Sequence, residues 1–226
     1  MKAGVLLSGG QDSATCAFWA VHEFGVGEVC ALSFDYGQRH ARELQAAGEL
    51  CTELGLPHRT FQVPAGILRS ALTDPSQPIA LTGSTHAPHL PTTFVPGRNL
   101  LFLTLAMSFV ASRGGHALVT GVSAVDFSGY PDCRRDTMDA LQQACRLGLD
   151  DPQFTIHTPL VSLSKAQTWE LARRVGGEPA VDFIRRRTLT CYRGDESPND
   201  WGMGCGSCPA CELRSRGWEE FQALQA

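Results

Sequence analysis

The sequence lacks three things: a basic cluster, a long apolar run, and a lysine in its one glycine-rich loop. Its 226 residues carry 19 Lys and Arg against 23 Asp and Glu, a formal charge of -4 with a pI near 6.0. A general nucleic-acid binder gains affinity from clustered cations that release phosphate counterions, and the short run Arg185 to Arg187 does not supply such a cluster. The longest apolar stretch, NLLFLTLAMSFVAS, falls short of the roughly eighteen residues of a membrane helix and reads as a buried helix. The opening MKAGVLLSGG has an apolar segment too short for a secretory leader. Without one, the odd count of nine cysteines argues for reduced thiols and a metal site over disulfides. The expected setting is therefore the cytoplasm, with neither nucleic acid nor membrane as partner.

What is present is an alternation of strand and helix patterns. AGVLL is a short, wholly apolar run of the kind that a parallel strand buried on both faces shows. DSATCAFWAVHEFG follows at helical spacing and ends on Gly25. EVCALSFDY, an amphipathic helix closed by Gly55, and PHRTFQV repeat the unit. The irregular, proline-rich region from about Ala65 to Gly97 has the length of a substrate lid. Beyond it come the helix RNLLFLTLAMSFVASRGG, the strand HALVTGV, the helix RRDTMDALQQACRLGL, the strand FTIHTPLV and the helix SKAQTWELARRVGG, capped by Ser164. This order predicts an α/β fold with a doubly wound, mostly parallel sheet, whose ligands bind beyond the carboxyl ends of the strands. Residues 1–185 would form that domain, and residues 186–226 a small cysteine-rich lobe with a terminal helix.

Two motifs carry chemistry. In LLSGGQDSATC, small residues between strand and helix let backbone amides converge into an anion-binding nest at a helix N-terminus. Gly9 and Gly10 can take positive φ, Ser8 and Ser13 add hydroxyls, and Asp12 could hold magnesium or cap the helix. The Walker pattern is absent, and a plain turn capped by Asp12 or Ser13 is the competing reading. In CGSCPAC, Cys205, Cys208 and Cys211 have metal-ligand spacing, and Cys191 offers a fourth thiolate across the long segment RGDESPNDWGMG. Four thiolates suit structural zinc. An iron-sulfur cluster and unligated thiols are the alternatives. Cys16, Cys30, Cys51, Cys133 and Cys145 sit in apolar patterns and read as core residues.

SGGQDS, placed between first strand and first helix, resembles the pyrophosphate loop of the N-type ATP pyrophosphatases. That resemblance implies an adenine nucleotide alpha hydrolase-like, Rossmann-like fold that cleaves ATP between its α and β phosphates, with ATP gripped by Leu7, Ser8, Gly9, Gly10, Gln11, Asp12, Ser13, Ala14, Thr15, Cys16 and Ala17. VPGRN, DFSGYPDCR, TPL followed by Lys165, CYRG and CGSCPACELR together resemble the 7-cyano-7-deazaguanine synthase family over essentially the whole chain. The resemblance implies a homodimeric ligase of queuosine biosynthesis that joins 7-carboxy-7-deazaguanine and ammonia, with ATP as co-substrate, magnesium as its companion, and Zn2+ on Cys191, Cys205, Cys208 and Cys211. Asp12, Ser13, Arg98 and Lys165 are the catalytic candidates, the last two neutralising carboxylate and phosphate charge. Asp132 first and Asp126 second are candidates to read the paired donors of the base, with Phe127 or Tyr130 stacking on it and Arg134 nearby. Asp35 and Tyr36 would lie near the adenosine, and His86 and His89 are given no role. A relative that stops at the amide or transfers the acyl group to another amine shares these motifs. A tRNA-modifying relative would need the basic surface that the charge balance argues against.

Overall fold

Strand β1 (Ala3–Leu6) occupies the centre of a five-stranded parallel sheet because its residues are apolar on both sides and both faces of the sheet are covered. The computed structural model describes residues 1–38, 41–64, 66–74, 76–124 and 129–224. After β1 come α1 (Gln11–Phe24), β2 (Val29–Asp35), α2 (Ala41–Leu54) and β3 (His58–Gln62), then α3 (Arg98–Ala111), β4 (Ala117–Val119), α4 (Arg135–Leu149), β5 (Thr155–His157) and α5 (Lys165–Arg187). The strand order is β3-β2-β1-β4-β5, all parallel. The winding direction therefore reverses between β1 and β4, and the crevice at their carboxyl ends is the expected place for a ligand.

Alternation along the strands divides the interior into two cores. Val5, Leu7, Ala31 and Val119 face the side covered by α1, α5 and the C-terminal region. Leu32, Phe34, Leu118 and Ile156 face the side covered by α3 and α4. The apolar run of α3 is not wholly buried: Phe102, Leu103, Ala106 and Val110 point inward, while Leu100 and Leu105 are 36% and 41% exposed. A helix lying on one face of a sheet can bury only one side.

The helix beginning at Lys165 outruns its sequence signal. Ser164 caps it as expected: its Oγ accepts the Gln167 amide, and the Gln167 side chain accepts the Ser164 amide at 2.9 Å. At Gly177 the backbone leaves helical geometry (φ 68, ψ -169), which is where the pattern predicted an end, but a second helical segment follows through Pro179 to Arg187. Proline suits the first turn of that new segment.

Two short strands, β6 (Pro198–Asn199) and β7 (Gly202–Met203), form a hairpin inside the long segment between Cys191 and Cys205. The last helix, α6 (Pro209–Ala223), packs on α5, with the Trp169 and Trp218 rings edge to face at 4.9 Å. Arg214 of α6 is fully buried, and its guanidinium donates to the carbonyls of Ile184, Thr188 and Trp201 and to Thr190 Oγ1. These carbonyls lie around the end of α5 and in the hairpin, so one side chain joins three parts of the chain. Between β3 and α3 no regular element occurs among the described residues, yet Leu68, Leu90, Phe94 and Val95 are buried there and anchor the segment to the second core.

Candidate functional site: the crevice at the first crossover

Gly9 has φ 91 and Gly10 has φ -85 with ψ 169, so only the first adopts the left-handed side of the map. The expected positive φ at Gly10 does not occur, because Gly10 is the N-cap of α1 and caps take the extended region. Neither Asp12 nor Ser13 caps the helix. The Ser8 and Gly9 amides both donate to Ser13 Oγ at 3.2 Å, and that hydroxyl donates to the Gly10 carbonyl at 3.1 Å. Converging amides at a helix N-terminus, where the first-turn N–H groups have no helical partner, make a receptor for anionic oxygen.

Neighbouring elements hold the loop from two sides. A Cβ on Gly9 would stand 2.0 Å from the Glu43 carbonyl oxygen of α2, and one on Gly121 would stand 3.0 Å from the Asp12 carbonyl carbon. Behind the loop, Leu189 N donates to the Gly9 carbonyl, and Thr190 Oγ1 accepts from both Gln11 N and Arg214. The loop is thereby tied to the C-terminal region.

A cavity of about 290 Å³ opens above the loop, with Leu7, Ser8 and Gly10 to Ser13 on one wall and Arg98, Asn99 and Tyr130 on another. Lys165, the first residue of α5, is buried and donates to both oxygens of Asp12 at 2.6 and 2.8 Å. Burial works against the charge of Arg98, but the Tyr36 hydroxyl, Asp132 and Cys133 outweigh it and hold its pKa above the usual arginine range. Tyr36 accepts from Arg98 at 3.5 Å, and Tyr130 shares a hydrogen bond with Thr93. Asp132 is buried, and its Oδ2 accepts the Asn99 amide in the first turn of α3.

The sulfurs of Cys191, Cys205, Cys208 and Cys211 lie within 4.8 Å of one another and could hold one metal ion. The Cys205–Cys211 and Cys191–Cys208 pairs are 3.9 and 4.0 Å apart, close to the ~3.8 Å edge of a tetrahedron with metal–sulfur bonds of about 2.3 Å. A polynuclear iron cluster would interpose several metal atoms and spread the thiolates wider. The thiol bond from Cys211, then nearby amides, hold Cys208 low, while Cys211 as its donor is pushed up. The remaining five cysteines are buried and free of disulfides.

A profile described as "Queuosine biosynthesis protein QueC" matches residues 2–222. The chain belongs to the QueC family. A relative from Acidovorax sp. (strain JS42), named 7-cyano-7-deazaguanine synthase, is 49% identical over 236 residues, covering 100% of this chain and 95% of the relative. One of the same name from Burkholderia thailandensis is 47% identical over 229 residues, covering 96% and 91%. Among solved structures, an NH3-dependent NAD synthetase from Campylobacter jejuni is similar at 19% identity and a TM-score of 0.47, covering 81% of this chain and 66% of that one.

Within this QueC family member, the cavity gathers Leu7, Ser8, Gly10, Gln11, Asp12, Ser13, Arg98 and Tyr130. Ala14, Thr15, Cys16 and Ala17 are buried inside α1, away from the cavity wall. Arg134 is exposed as the N-cap of α4 and is not on that wall. Asp126 and Phe127 lie outside the described residues. Tyr36 reaches the cavity, whereas Asp35 spends its oxygens on the Gly37 amide and the Gln62 side chain. Glu43, Asn99, Thr190 and Tyr192 also line the cavity. No motif flagged Glu43. Thr190 and Tyr192 flank the candidate ligand Cys191, and Tyr192 stands in the CYRG string, so their place beside Cys191 was the signal for them.

Proposed function

We propose that this QueC family member is a 7-cyano-7-deazaguanine synthase that couples ATP cleavage to conversion of a carboxylate into a nitrile. The observation that carries the reading is the loop at the N-terminus of α1, which puts Ser8 and Gly10 to Ser13 on the wall of one cavity with Arg98, and Lys165 on Asp12. A carboxylate resists attack by ammonia because its carbon is electron-rich and oxide is a poor leaving group. Its oxygen therefore attacks the α phosphorus of ATP, the bond to the β phosphate breaks, and pyrophosphate leaves into the nest. Ser8, Gly9, Gly10 and Ser13 hold that leaving group, and fixed dipoles of this kind stabilise developing charge without reorganising. Leu7 and Gln11 shape the same wall, and Ala14, Thr15, Cys16 and Ala17 support it from inside α1.

Ammonia then adds to the acyl carbon, AMP departs with the bonding pair, and the amide is left after loss of a proton. The amide oxygen attacks a second ATP in the same way, releasing pyrophosphate and one proton. Loss of AMP and a further proton completes the C≡N bond. Arg98 holds the substrate carboxylate, and its charge survives burial there. Lys165 and Asp12 serve the α phosphate, with Asp12 also able to bind magnesium that accompanies ATP. Tyr130, on the cavity wall, stacks on the deazapurine, and Asp126, Phe127, Asp132 and Arg134 are the residues proposed from the sequence to read that base.

Zinc on the four cysteines belongs to the same reading, as do a homodimer and a cytoplasmic setting. The sulfur spacing and all-thiolate donor set support zinc in a structural role. The division into residues 1–185 and 186–226 treats the metal as the local core of the smaller part. Among the described residues no helix is long and apolar enough to cross a membrane. The test is incubation of purified protein with ATP, ammonia and 7-carboxy-7-deazaguanine. AMP, pyrophosphate and the nitrile are expected. Amide as the final product would favour the shorter reaction, and no AMP would refute both.

A further inference from the structure

We propose that Glu43 is the general base that removes the proton from the nitrogen nucleophile as it adds to the activated acyl carbon. The inference rests on the synthase reading above and names a group it leaves open. Glu43 is the third residue of α2, whose carbonyl oxygen presses against Gly9 and so sets the helix beside the pyrophosphate loop. Its side chain lines the same cavity as Ser8, Arg98 and Tyr36. The Arg98 charge acts on it across that cavity, and Arg98 is the residue assigned to the substrate carboxylate. A carboxylate that shares one cavity with that guanidinium can face the carbon that ammonia attacks.

The other carboxylates are committed. Asp12 gives both oxygens to Lys165, and Asp132 takes the Asn99 amide and is not on the cavity wall. Among the described residues that wall contains no histidine, and no hydrogen bond to the Glu43 carboxylate is found. Burial raises the Glu43 carboxyl to about 7, with Arg98 opposing the rise. Around it, burial keeps the Tyr36 and Tyr192 phenols protonated, Arg98 stays charged, and Asp12 is ion-paired. A base matched to neutral pH is the most effective one.

The step balances. The nitrogen lone pair forms the C–N bond, the acyl C–O bond breaks with its electrons going to AMP, and one N–H proton passes to the Glu43 carboxylate, which returns it to water.

Glu43→Gln, compared with the intact enzyme, separates this role from adenylation. Pyrophosphate–ATP exchange with 7-carboxy-7-deazaguanine and no ammonia reads adenylation alone. It should persist within about threefold in the variant, while ammonia-dependent turnover falls roughly 100-fold or more, the range for loss of a positioned base. The acid limb of the intact enzyme's kcat profile near pH 7 should vanish in Glu43→Gln. If that variant does not fold, Glu43→Asp should fold and keep the limb while lowering only the ammonia step. Unchanged ammonia turnover, or an equal loss of exchange, overturns the proposal. Absence of exchange in the unaltered enzyme would instead sink the synthase reading.

Discussion

Replacing Gly9 and Gly10 by alanine, one at a time, separates what the loop does for folding from what it does for ATP. At Gly9 the new Cβ would lie 2.0 Å from the Glu43 carbonyl oxygen and 2.8 Å from its carbon, both backbone atoms that cannot swing aside. Its φ of 91 is also hostile to alanine. The backbone conformation costs about 1–3 kcal/mol, and forcing α2 away adds about 1–3 kcal/mol. Against a total stability of about 5–15 kcal/mol, that loss lowers the melting temperature by roughly 5–20 °C in a chain of this size.

At Gly10 the nearest atoms are at 3.6 to 3.8 Å, an ordinary contact, and φ -85 suits any residue. Losing glycine from the N-cap costs at most about 1 kcal/mol. The methyl group would, however, stand on the cavity wall where phosphate must approach the amides. Gly10→Ala should therefore melt within about 4 °C of the parent protein and yet bind ATP at least tenfold more weakly, a loss of about 1.4 kcal/mol or more. Thermal melts with calorimetric titration of a non-hydrolysable ATP analogue read both quantities. Full ATP affinity in Gly10→Ala, or a melting point as low as that of Gly9→Ala, would refute the nest.

Asp12→Ala removes the carboxylate that takes two hydrogen bonds from the buried Lys165 ammonium. Because Asp12 is 24% exposed, the full cost of breaking a buried pair is discounted to about 1–3 kcal/mol, and denaturant titration should show Asp12→Ala/Lys165→Met recovering part of it. Ser13→Ala removes the acceptor of two amides that water in the open cavity can replace, so AMP formation should fall with a stability change below about 1 kcal/mol. Cys208→Ser should lower metal content measured by mass spectrometry and release Trp201 and Trp218, seen as a red shift of fluorescence. Glu43 ionises at about 7 when folded, against an ordinary value of 4.5. Between those values the native state holds more protons than the unfolded one, so stability falls as pH rises from about 4.5 to 7. Glu43→Gln should abolish that fall, worth up to about 1–3 kcal/mol after allowing for its opening to solvent; the same slope in both proteins would contradict the assignment.

The strand and helix alternation was legible because apolar residues repeat with the period of each element, and β1, β2 and β3 appear where those periods place them. The helix past Gly177 was not, because Gly176, Gly177 and Pro179 read as an end although packing on α6 sustains a new segment. The Gly-Gly pair marks a turn, but which glycine takes positive φ depends on where the helix begins, and here Gly10 is its N-cap while Gly9 turns left. The cysteine spacing named three candidate ligands, and folding brought Cys191 to them through a hairpin that composition alone presented as a loose insertion.

By itself the sequence determined the local chemistry: the string between β1 and α1, the ligand spacing, and the family those motifs carry. Each depends on residues close together in the chain, whose geometry follows from backbone preference and short-range contacts. Tertiary structure alone decided which distant groups meet. It set Lys165 on Asp12, Asn99 on Asp132, Arg214 behind Thr190, and Glu43 in the cavity. Such pairings arise from the crossing of helices over a reversed sheet, and no periodicity along the chain encodes the distance across a crevice.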